Sequence, residues 1–179
     1  MKSRITLFGL LFLAVALVVT LPGAMAGDGD GDTDIGGGLG FGQRVAGTYR
    51  DIGGLDIGAS WIGAMTFGAD GTVTTTNTSC CLGAGTFQSP GHGVWKRTGI
   101  RQITLTALIW IFNPDGSDNA TAKPTIVIDF DEYFETATGV INTEIFLPGT
   151  DPLVDEPFLC FPGMEEFTRL HVDTLCTLD

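Results

Sequence analysis

Side chains able to do chemistry are few in this chain, and they are scattered. His92 and His171 are the only histidines. Neither stands near a nucleophile in sequence, and an isolated histidine is ordinarily a hydrogen-bonded or solvated structural residue, so no general base is assigned. Ser60 sits in Gly58-Ala59-Ser60-Trp61-Ile62, which lacks the closing glycine of a G-x-S-x-G nucleophile elbow. Asp129, Asp131, Glu132 and Glu135 are numerous enough to pair as acid and base. Strand alternation, however, sets Asp129 and Asp131 opposite Ile126 and Ile128, so they are expected to face solvent. Asp28, Asp30, Asp32 and Asp34 alternate like the first ligands of a calcium loop. The sixth position is Thr33 instead of Gly and the twelfth is Leu39 instead of Glu, so a plain acidic linker is the expectation. No glycine-rich phosphate cradle or dinucleotide fingerprint is present. The sequence therefore assigns no catalytic residues, no metal and no cofactor.

The first 26 residues carry an address. Lys2 and Arg4 precede an apolar run from Ile5 to Leu21, and Ala24-Met25-Ala26 offers a small-x-small cleavage box. This is the pattern of a secretory signal peptide spanning 1–26. An uncleaved anchor is the alternative, but the Pro22-Gly23 break and the cleavage box favour removal. A secreted or periplasmic protein without stable membrane anchoring follows. All 21 acidic residues lie beyond residue 26 but only 7 of the 9 basic ones do, so the mature chain carries −14 against −12 for the whole. Such a surface repels phosphate backbones, which argues against nucleic acid as a partner. Oligomeric state is not legible. Residues 27–44 begin GDGDGDTDIGGGLGFG, too poor in apolar side chains to pack, and are expected to be a disordered linker ahead of one domain at 45–179.

That domain reads as all-β, with strands expected at Val45–Ile52, Ala59–Phe67, Thr72–Asn77, Gly91–Thr98, Arg101–Phe112, Thr125–Asp131, Tyr133–Phe146 and Phe167–Val172. Ala69-Asp70-Gly71 and Pro114-Asp115-Gly116 are turn signals. Leu147 to Glu166 holds Pro148, Pro152, Pro157 and Pro162 and reads as one long loop. Eight strands in hairpin order suit a single up-and-down β-barrel, with a sandwich as competitor. The alternation points Trp61, Met65, Phe67, Ile103, Leu105, Ile126, Ile128 and Phe130 inward, where they would line a site for a small hydrophobic ligand.

Cys80, Cys81, Cys160 and Cys176 form an even set in an exported chain, which favours disulfides. A zinc site lacks C-x2-C spacing at the vicinal pair. In an up-and-down barrel the loops after strands three and seven open at the same end. Cys160 is accordingly expected to pair with Cys80 or Cys81, with Cys176 at the opposite end.

Local motifs carry a family resemblance. Gly47-Thr48-Tyr49 resembles the G-x-W entry of lipocalins with Tyr in the aromatic place, and Arg169 is placed like the arginine that packs over that aromatic in calycin barrels. Phe67-Gly68-Ala69-Asp70-Gly71-Thr72-Val73 and Ser89 to Arg101 are similar to small exported bacterial proteins with a lipocalin-like barrel and no settled function. The resemblance covers Val45 to Phe146, and allene oxide cyclase barrels are similar in shape. It implies a lipocalin-like barrel floored by an aromatic–arginine pair. In physical terms, a guanidinium stacked on Tyr49 or Trp95 would act as a structural plug.

Three functions fit: a small-ligand barrel, a filled barrel serving as a structural or interaction domain, and a cyclase- or isomerase-type enzyme. A cavity of at least ~300 Å³ would distinguish the first from the second, and polar groups converging inside it would favour the third.

Overall fold

A computed structural model describes residues 39–78 and 86–171. The signal peptide and most of the acidic linker lie outside the described residues, as do Cys80, Cys81 and Cys176. A short helix, α1 (Phe41–Val45), precedes β1 (Gly47–Leu55), β2 (Ser60–Phe67), β3 (Thr72–Asn77), β4 (Phe87–Gln88), β5 (Gly91–Arg97), β6 (Gln102–Phe112), β7 (Asp118–Phe130), β8 (Thr136–Phe146) and β9 (Leu159–Arg169). Eight of these strands pair antiparallel in chain order. The ring closes where β9 meets β1, with Tyr49 opposite Arg169 and Leu55 opposite Gly163. β4 is a two-residue extra that pairs with the end of β6 beyond the reach of β5. This is a closed up-and-down barrel, which leaves no long edge strand for intermolecular pairing.

Local chemistry sets the hairpins. At the β2–β3 turn, Asp70 Oδ1 accepts hydrogen bonds from the Thr72 N–H at 3.1 Å and the Thr72 hydroxyl at 2.6 Å. At the β6–β7 turn, Asp115 repeats the arrangement with Ser117 at 2.9 and 2.6 Å. A carboxylate satisfying the backbone two residues on is the mechanism by which aspartate favours turns.

Two expectations are corrected by where prolines fall. β9 begins at Leu159, so residues 159–166 are strand and not loop. Pro162 is tolerated because its carbonyl accepts from the Asp56 N–H, just past the end of β1. Its missing N–H thus points where the ladder finishes. β7 likewise begins at Asp118, ahead of the expected Thr125. Pro124 lies within it, paired to Thr143, and the β6–β7 pairing skips Pro124 and Lys123 between Thr125 and Ala122 without a change of register. The linker expected to run through 44 also ends earlier, because Phe41–Val45 form α1. Cys160 is exposed and free among the described residues, and Cys80 and Cys81, the partners expected for it, lie outside them.

One end of the barrel is closed by packing. The rings of Phe41, Tyr49, Phe67, Trp95, Phe130 and Phe134 meet edge to face, tilted or stacked, with centroids 5.2 to 6.3 Å apart. Arg169 lies over Tyr49, 5.4 Å from its centroid. Its guanidinium donates to the carbonyls of Arg44 at 2.9 Å, Phe134 at 3.3 Å and Ala46. A Cβ on Gly47 would stand 3.0 Å from that guanidinium, so the bare backbone at 47 gives the arginine its seat. The Tyr49 hydroxyl lies 3.2 Å from the Val45 carbonyl and 3.1 Å from that of Phe134, and burial pushes its pKa up to about 12. Phe134 has φ of 60°, an uncommon conformation for an aromatic residue, and these contacts hold it there.

Arg169 therefore ties α1, the β7–β8 turn and β9 together. Arg169→Ala should cost about 2–4 kcal/mol by leaving carbonyls unsatisfied, and Arg169→Lys should recover less than half of the loss, because one ammonium cannot reproduce the fork. Urea unfolding of the three proteins measures this; full recovery by lysine would show that charge alone suffices.

Candidate functional site

Period-two alternation carries the parity of Tyr49 and Arg169 along their strands. On β1 it turns Asp51, Gly53 and Leu55 inward, and on β9 it turns Phe167, Glu165 and Gly163 inward. Two acids are thereby placed inside the barrel. Asp51 is 1% exposed and Glu165 is 3% exposed. Gly53 sits between them, paired to Trp61 on one side and Glu165 on the other. A Cβ at Gly53 would lie 2.3 Å from the Trp61 indole and 2.7 Å from the Glu165 side chain. Glycine at 53 leaves the volume that those two side chains occupy.

The indole Nε1 of Trp61 donates to Asp51 Oδ2 at 3.1 Å. Asp51 Oδ1 and Glu165 Oε2 are buried without a hydrogen-bond partner. Burial raises the Asp51 pKa to about 6, against the Trp61 hydrogen bond, which lowers it. Burial, and then the negative charge of Asp51, push Glu165 up to about 8. Around neutral pH the pair therefore carries one proton and one charge. Across from these acids, no titratable side chain points inward from β2, β3 or β8. Along β1 and β9 the next inward titratable residues are Tyr49 and Arg169, at the closed end.

Both acids line a cavity of about 60 Å³ in the half of the barrel away from the plug. The core consists of two apolar clusters, a large one around the plug and a smaller one of Ile109, Ile111, Ala120, Ala122 and Ile145. The cavity lies between them. Leu55, Met65, Ile126 and Ile141 of the first cluster and Ile109, Ile111 and Ile145 of the second supply apolar wall. Half-buried Asn77, Gln88, Thr143 and Phe161 supply the rim. The volume falls below the ~300 Å³ that a drug-sized ligand needs.

Of the eight residues expected to contact a ligand, Trp61, Met65 and Ile126 line this cavity. Phe67, Ile103, Leu105, Ile128 and Phe130 are equally buried but belong to the large cluster and are absent from the cavity wall. Trp95 packs on Phe41 and donates its indole N–H to the Gly68 carbonyl at 3.0 Å, leaving Arg169 to Tyr49. His92 lies on the outer face of β5, and His171 pairs with Glu135 at the surface. Asp129 is exposed. Among the described residues no group of three or more His, Cys, Asp or Glu could hold a metal.

Sequence reasoning missed Asp51 and Glu165. The signal was their parity with Tyr49 and Arg169, and it was hidden for Glu165 by a strand start placed at Phe167, eight residues beyond the true start at Leu159.

The arrangement can donate a proton from Glu165, accept one at Asp51, or balance a cation. It also makes stability depend on pH. Both folded-state pKa values are raised above those of the unfolded chain, so the folded protein holds these protons more tightly. Their contribution is fully present at acid pH and is lost as pH rises through about 6 to 8. Denaturant stability should fall by on the order of a few kcal/mol between pH 5 and pH 9, and Glu165→Gln should flatten that slope. Equal slopes for both proteins would refute the assignment. No family model, curated protein or solved structure matches the chain, so the site stands on its geometry.

Proposed function

We propose that this is an exported binding protein that holds a small, largely apolar molecule in the hollow half of the barrel. One observation carries the reading: the aromatic plug fills one end, while the other keeps a cavity between two apolar clusters. At about 60 Å³ it suits a ligand of roughly four to six heavy atoms, counting one water-sized sphere for each. A large lipophile does not fit. Export rests on Lys2, Arg4, the apolar run and Ala24-Met25-Ala26. The closed-barrel architecture and the Tyr49–Arg169 pairing support a lipocalin-like scaffold.

The small volume favours the second reading, a filled barrel serving as a structural or interaction domain, and one experiment separates the two. Amide NMR shifts during titration with 1-butanol should change around the cavity wall, at Met65, Ile109, Ile126 and Ile141, with saturation at millimolar concentration or below, given at most ~1.5 kcal/mol per heavy atom. The plug around Tyr49 should stay still. Ala122→Leu, which adds volume into the cavity, should weaken binding about tenfold or more while the barrel spectrum is retained. Absence of a saturable shift in the wild type would establish the filled barrel instead.

A further inference from the structure

We propose that the Asp51–Glu165 pair is a recognition site for the ammonium group of a small aliphatic amine, whose hydrocarbon part lies against the isoleucine wall. This rests on the small-ligand reading and specifies what the ligand's polar end must be.

Asp51 Oδ1 and Glu165 Oε2 are both buried, both border the cavity and both lack a donor. A purely apolar ligand would exclude solvent from these oxygens and leave them unmatched, which costs binding free energy for each. An ammonium presents three N–H donors and can serve both oxygens at once.

Charge supports the same occupant. Among the described residues no lysine, arginine or histidine lines the cavity, so no side-chain cation in its wall balances the charge of the pair. The nearest cation along β9, Arg169, is spent on three carbonyls at the closed end. On β7, Lys123 is paired outside the cavity with Glu144 at 2.7 Å and the Pro152 carbonyl at 2.9 Å. The chain as a whole carries −12, which draws cations and repels carboxylate ligands. A metal ion suits the site less well, because hard cations require six or more oxygens, and here two carboxylates stand in a wall that is mostly apolar, with no third acid, cysteine or histidine grouped with them among the described residues.

Shape limits the rest of the molecule. The indole of Trp61 is fixed by its bond to Asp51 and forms part of the cavity lining beside the acids. Its face offers a cation–π contact to an ammonium held there. Beyond it, the wall from Ile109 to Ile145 accommodates a hydrocarbon chain of a few carbons and provides no further charge.

The test compares n-butylamine, 1-butanol and butyrate at pH 7 by isothermal titration and NMR. Butylamine should bind about tenfold or more tightly than butanol, the difference between a charge-assisted and a neutral hydrogen bond, and butyrate should not bind. Asp51→Asn and Glu165→Gln should each bring the amine-to-alcohol ratio toward one without abolishing butanol binding. Butanol binding as tightly as butylamine in the wild type would overturn the amine assignment and leave the small-ligand reading intact. Failure of both to bind would overturn both. The wild-type comparison decides the matter even if a variant does not fold.

Discussion

The bond between Arg169 and the closed end is the constraint on which the rest of the molecule depends. A guanidinium that donates to carbonyls of α1, its following residue and the β7–β8 turn fixes three segments far apart in sequence. It also fixes which way β9 faces where it meets β1. A strand has only two faces, so once Arg169 and Tyr49 point inward every second residue behind them must do so too. Asp51 and Glu165 are inside because the plug leaves them no alternative. A one-residue slip would release the acids to water but would also expel Tyr49, Phe167 and Arg169, and the aromatic floor would be lost.

This explains how a barrel with so unfavourable a pair of groups remains a barrel. Burying ionisable side chains without partners opposes folding. The opposition is confined to one place, beside a cavity whose wall is mostly apolar. The fold tolerates the pair because the part of the larger cluster away from the cavity wall, with Phe67, Ile103, Leu105 and Ile128 almost fully buried, packs independently of it. The structure is thus divided by task along its axis, with the packed end stabilising and the hollow end holding the buried acids.

Much of the architecture was legible. The hairpins at Asp70-Gly71 and Asp115-Gly116 and the apolar face of β6 identify themselves by turn chemistry and alternation. Pro162 misled because proline is normally incompatible with a strand interior; whether its absent N–H faces a partner depends on where β1 stops, which is a tertiary fact. The acids were harder. Glu132 and Glu135 stand beside Asp129 and Asp131 and attract attention as a cluster, yet Asp129 looks outward. Asp51 and Glu165 are 114 residues apart; Asp51 is the one acid of β1, and Glu165 stands beside the exposed Glu166 in β9. Only closure of the ring makes them neighbours, and closure is carried by no local pattern.

Gly53 has a consequence for how such a barrel can diverge. Its missing side chain is the volume that Trp61 and Glu165 occupy, so the three positions form a single inherited unit. A descendant that acquired any side chain at 53 would have to surrender the indole or the acid, and with it the polar end of the cavity. Conversely, Ala122 in the opposite wall is free to vary in size without touching that unit. Descendants of this chain would therefore be expected to alter the length of the molecule they accept long before they alter the chemistry of its head.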